Sequence, residues 1–86
     1  MARNQVVPLR DVNIQLYPEG DHRLHFQWCR YDLGETVEYG YRFMWSAQGR
    51  LKPLRGGARI PSWDSLQALL KMAEAEGWAH QSEVNI

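Results

Sequence analysis

A single cysteine, Cys29, excludes any internal disulfide, so noncovalent packing alone must close the fold, and a reducing compartment suits it. No apolar run approaches the roughly 20 residues that a membrane helix needs. Met1-Ala2-Arg3-Asn4-Gln5 leads into no apolar signal core, so a cytoplasmic protein without membrane association is expected. An excess of one charge is missing too. Ten Lys and Arg stand against ten Asp and Glu, which denies the chain the positive footprint of a dedicated nucleic-acid binder.

Chemistry-bearing patterns are equally scarce. No Ser sits in a nucleophile-elbow context, and the acidic residues are scattered rather than paired. Leu54-Arg55-Gly56-Gly57-Ala58-Arg59 is glycine-rich but lacks the Lys-Ser/Thr ending of a phosphate loop. His22 and His25, three apart on a strand, point to opposite faces and cannot share a metal ion. His25 and Cys29 share a face but lie about 13 Å apart along it, too far for one ion or a thiolate–imidazole pair. A non-enzymatic protein with no cofactor, no metal and no small-molecule substrate is the expectation.

What the chain does have is large aromatic side chains in alternating patterns. Four Trp, four Tyr and two Phe supply core pieces of roughly 150–250 Å² each, enough for one core in a chain of 86 residues. A single domain over 1–86 is expected. In Val37 to Trp45, Val37, Tyr39, Tyr41, Phe43 and Trp45 alternate with Glu38, Gly40, Arg42 and Met44, the period of a strand with one buried face. Val12, Ile14 and Leu16 mark an earlier strand, and Leu24, Phe26 and Trp28 a second. Pro18-Glu19-Gly20-Asp21 and Asp32-Leu33-Gly34-Glu35 supply the turns between them. Short connections of this kind join antiparallel neighbours, so a meander is predicted. Ser46 to Arg50 reads as a further hairpin loop and Leu51 to Leu54 as a fourth strand, with Pro53 placing it at an edge. Arg59-Ile60 is a candidate for brief further pairing. Residues 1–8 read as a loose arm.

A helix is predicted over about Trp63 to Glu76. Ser62 is its N-cap, Asp64 sits in the first turn, and Gly77 followed by Trp78 fits a left-handed C-terminal stop with a hydrophobic contact. Trp63, Leu66, Leu69, Leu70 and Ala73 form the stripe expected to face the sheet. Residues 79–86 read as a frayed tail, with a short strand over Glu83-Val84-Asn85-Ile86 as the alternative. The fold class is therefore α+β in two layers: three to four antiparallel strands with one C-terminal helix on one face.

One helix cannot cover both faces of a sheet, so the candidate binding surface is the other face. Its expected residues are Asn13, Tyr17, Arg23, His25, Gln27, Tyr31, Arg42 and Met44. A second candidate is the basic hairpin, where Arg42, Arg50, Lys52, Arg55 and Arg59 run to Ile60 without an acidic residue. Two functions follow. The first is a protein-interaction module that uses the uncovered face or a sheet edge, with a second copy or another protein as partner. The alternative is a nucleic-acid binder using the same face and hairpin. The first is preferred because Asp11 and Glu38 share that face and repel phosphate.

Overall fold

The computed structural model describes residues 4–52 and 57–82. In chain order the elements are β1 (Gln5–Tyr17), β2 (His22–Asp32), β3 (Val37–Ala47), β4 (Arg50–Lys52) and α1 (Trp63–Ala75). The four strands form one antiparallel sheet in the order β1-β2-β3-β4, and the helix packs against one side of it. This is the expected two-layer α+β meander.

Local chemistry explains the joints. The Asp21 N–H donates to the Pro18 carbonyl at 3.0 Å, closing the turn in which Pro18 fixes φ and Gly20 takes a φ of +74°. Gln48 and Gly49 both have positive φ, 53° and 77°, which a two-residue hairpin loop requires for its twist to match the strands. The Gln48 N–H also donates to Gly20 O at 3.0 Å, tying the two turns at that end of the sheet together.

The helix starts and stops as its sequence demands. Ser62 is extended (φ −155°, ψ 157°) and its Oγ accepts from the Ser65 N–H at 3.0 Å, satisfying an otherwise orphan donor. At the other end the Trp78 N–H reaches Ala73 O at 3.2 Å and the Gly77 N–H reaches Glu74 O at 3.1 Å, with Gly77 at φ +84°. These are the two bonds of a Schellman motif. They turn the chain so that Trp78 enters the core.

That core consists of Val12, Leu24, Phe26, Trp45, Leu69, Ala73 and Trp78. Phe26 is its centre, with ring centroids of Tyr41, Phe43 and Trp78 at 5.1, 4.8 and 5.5 Å. Leu24 and Leu69 are fully buried, each burial stabilising the fold by roughly 1.5–3 kcal/mol. The Tyr41 hydroxyl donates to Trp78 O at 3.1 Å and accepts from the Gln81 N–H at 2.7 Å, so the chain beyond the helix is held through residue 81 rather than frayed there. The alternative strand at 83–86 lies outside the described residues.

Several expectations are corrected. The arm expected to be loose up to Pro8 is strand from Gln5 onward, pairing Gln5 with Asp32 and Pro8 with Cys29; Pro8 is accommodated because β1 is an edge strand. β4 is seen as Arg50–Lys52, while Pro53 and Leu54 fall outside the described residues. Arg59 and Ile60 form no strand; instead Arg59 O accepts from the Trp45 indole Nε1 at 2.8 Å. The helix ends at Ala75 with Glu76 as its cap, and Trp63 is 69% exposed, because the stripe that meets the sheet is Ser65, Leu69 and Ala73. Val37 and Tyr39 lie on the helix side yet are 50% and 41% exposed, since α1 rests on β1 and β2 and not on β3.

Candidate interaction surface

Strand parity carries polar side chains to the helix-free side. Register places Asp11 opposite Gln27, Asn13 opposite His25, Arg23 opposite Ser46, His25 opposite Met44, Gln27 opposite Arg42 and Tyr31 opposite Glu38. Directly opposed residues share a face. Asp11, Asn13, Arg23, His25, Gln27, Arg42 and Ser46 are joined in one connected hydrogen-bond net.

Asp11 is its hub. Its carboxylate takes His25 Nδ1 at 2.8 Å and Gln27 Nε2 at 2.7 Å on one oxygen, and Asn13 Nδ2 at 2.8 Å on the other. A carboxylate only accepts, so the His25 Nδ1 carries the proton. Gln27 extends the net by accepting from Arg42 Nε at 2.7 Å and from the Cys29 thiol at 3.8 Å. Asn13 extends it the other way: it accepts from Arg23 Nη1 at 3.2 Å, and Arg23 Nε reaches Asp21 at 2.8 Å, where Gln15 Nε2 also donates. Burial alone would raise the Asp11 carboxyl, but the donors His25, Gln27 and Asn13 together hold it below its ordinary value.

This face is half closed over itself. Gln27 and Cys29 are buried, at 3% and 0% exposure, although α1 lies on the opposite face. Gly40 stands opposite Cys29, and the Tyr31 ring lies so near that a Cβ on Gly40 would be 3.8 Å from it. Burial pushes both the Cys29 thiol and the Tyr31 hydroxyl up, against the lowering pull of Arg42. Cys29 is thus a protonated, covered thiol at neutral pH.

Asn13, Arg23, His25, Gln27, Tyr31, Arg42 and Met44 all come together here, as expected. Tyr17 does not. A register irregularity between Gln15 and Tyr17 turns it to the helix side, where it stacks on Trp45 at 6.0 Å and meets His22 edge-on at 6.2 Å. The basic hairpin is divided likewise: Lys52 is opposite Trp45 and Arg50 opposite Ala47, which puts both on the helix side, away from Arg23 and Arg42. Arg59 is exposed, and Arg55 lies outside the described residues. Lys52, Arg59 and His22 border a cleft floored by Tyr17 and Trp45, a grouping that sequence reading missed because only the hairpin register creates it.

A second missed feature is the chain Asp11–His25–Ser46. Ser46 Oγ lies 2.7 Å from His25 Nε2, whose Nδ1 side is on Asp11, so the donor order is that of a serine-hydrolase triad. Geometry decides what it can do. Ser46 is only 4% exposed, so its hydroxyl is covered in this arrangement. The chain instead locks the imidazole between β1 and β3. Among the described residues, no group of three or more His, Cys, Asp or Glu could hold a metal ion, and no helix is long and apolar enough to cross a membrane. No protein-family model, curated protein or solved structure matches this chain.

Proposed function

We propose that the chain is a small, non-enzymatic protein-interaction module of the cytoplasm whose docking surface is the helix-free face of the sheet. The observation that carries this reading is the net on Asp11: His25, Gln27, Asn13, Arg23 and Arg42 are already held by one another. A partner would therefore have little side-chain freedom left to freeze, and frozen side chains cost about 0.5–1.5 kcal/mol each. Tyr31 and Met44, both half-buried on this face, are residue types enriched at interface centres. The partners that suit it are proteins with donors and acceptors of their own, or a second copy.

The test is capture from cell extract by the parent and by a Tyr31→Glu/Met44→Glu variant, each shown folded by circular dichroism. Proteins retained by the parent and lost from the variant support the face; identical captures count against it. Nucleic acid is the second reading, and it rests on the cleft bordered by His22, Lys52 and Arg59. Phosphate contacts release counterions, so oligonucleotide binding that falls steeply with salt and survives the face variant would favour this reading instead.

A further inference from the structure

The sheet has two outer edges, and they are built differently. β1 is interrupted by Pro8, which has no N–H to offer, and by irregularities between Pro8 and Arg10 and between Gln15 and Tyr17. β3 pairs with β2 in unbroken register from Arg23–Ser46 to Asp32–Val37. Its other edge meets β4 only at Trp45, Ser46 and Ala47, and among the described residues no strand lies against it between Val37 and Met44. The helix does not reach over β3 either. From these features the geometry points to a symmetric dimer in which β3 pairs antiparallel with β3 of a second copy, about a two-fold axis at Gly40.

Backbone phase permits this pairing. Ala47 and Arg50 close a two-residue loop and so form a hydrogen-bonded pair, while the Leu33 N–H donates to Thr36 O at 2.9 Å at the other end of β3. Counting by twos from either end gives the same phase. The even-numbered residues Glu38, Gly40 and Arg42 bond to β2, and the odd-numbered ones, including Tyr41 and Phe43, direct their N–H and C=O outward. A two-fold at Gly40 sets odd residues against odd residues, so the outward groups meet each other.

Side chains select that register. In Val37-Glu38-Tyr39-Gly40-Tyr41-Arg42-Phe43 the pattern reads the same from both ends except for the sign of the charge. Pairing about Gly40 places each Glu38 opposite the other copy's Arg42, twice. Shifting the axis by one residue either way loses both pairs. Glu38 is exposed, and Arg42 gives its Nε to Gln27, one of five N–H donors on its guanidinium. On the helix side the same register covers the exposed Val37 with Phe43 of the second copy. Such an interface is isologous and closed, and it joins two helix-free faces into one continuous surface.

Sedimentation equilibrium over a concentration series tests it with a charge exchange. The parent should dimerise, whereas Glu38→Arg alone and Arg42→Glu alone should be monomeric, because each sets like charges opposite one another twice. An equimolar mixture of the two variants should restore a dimer that contains one of each, since both charge pairs are then opposite in sign. If Arg42→Glu is destabilised by losing Gln27, Glu38→Arg, a surface change, must still weaken the dimer at least tenfold. A monomeric parent at millimolar concentration, single variants that dimerise like the parent, or folded variants that stay monomeric when mixed would each overturn the pairing. The helix-free face is tested separately, by partner capture with the parent and the Tyr31→Glu/Met44→Glu variant.

Discussion

On the helix side of the sheet, cohesion comes from rings and aliphatic chains packed around Phe26; on the other side it comes from donors gathered on the Asp11 carboxylate. Both faces arise from the same two-residue alternation, but they respond differently to damage. Packing is non-directional, and its loss grows with the volume removed. A hydrogen-bond net is directional, and removing its hub leaves the donors bonded to that hub without an acceptor. The helix side should therefore set how stable the molecule is, and the other side how its stability depends on pH and on single polar groups.

The largest effect expected is for Phe26→Ala, which removes the central ring and should cost about 3–5 kcal/mol in urea melts. Asp11→Ala should cost about 1–3 kcal/mol, because the buried Gln27 amide and the Nδ1–H of His25 lose their acceptor. If the two variants melt alike, the division of labour between the faces fails. Gly77→Val should cost roughly 1–2 kcal/mol. Among the described residues no atom beyond the adjoining chain lies within 4 Å of an added Cβ there, so the cost is that of a side chain at positive φ and not of a clash. Trp63→Ala should fall within about 0.5 kcal/mol of the parent despite the size of the side chain removed, because Trp63 is 69% exposed.

Acid sharpens the comparison. Asp11 titrates below its ordinary value in the folded protein, so its net contributes stability that is fully present above the unfolded-state carboxyl pKa of about 3.9. That contribution is lost as pH falls through the depressed folded value. Asp11→Asn should therefore flatten the acid limb of a stability–pH profile, while Phe26→Ala should lower the whole profile without changing its slope there. Chemical denaturation at pH 7 and pH 3 reads both.

The legible parts of this molecule are those decided within a few residues. Alternation from Val37 to Trp45, the turn at Pro18, the cap at Ser62 and the stop at Gly77 each act through neighbours in the chain, and each is found where it was expected. Arg50 and Lys52 were misplaced because the side they take depends on which two residues make the hairpin loop; once Gln48 and Gly49 are known to make it, parity follows. Tyr17 was misplaced by a bulge, which leaves no trace in an otherwise regular alternation. The strand from Gln5 to Pro8 was hidden because its partner, the end of β2, is distant in sequence. The net on Asp11 was illegible for the same reason: Asp11, His25, Gln27 and Ser46 come from three strands, and only register joins them.

The helix rests on the first two strands, although it follows all four in the chain. During synthesis, at roughly 5–20 residues per second, the second strand is complete seconds before Leu69 and Trp78 exist to cover Val12, Leu24 and Phe26. The nascent chain thus carries a bare aromatic sheet for that interval. It is then that the molecule most needs a chaperone, and a nascent chain stalled before Trp63 should be held by one while the finished chain is released.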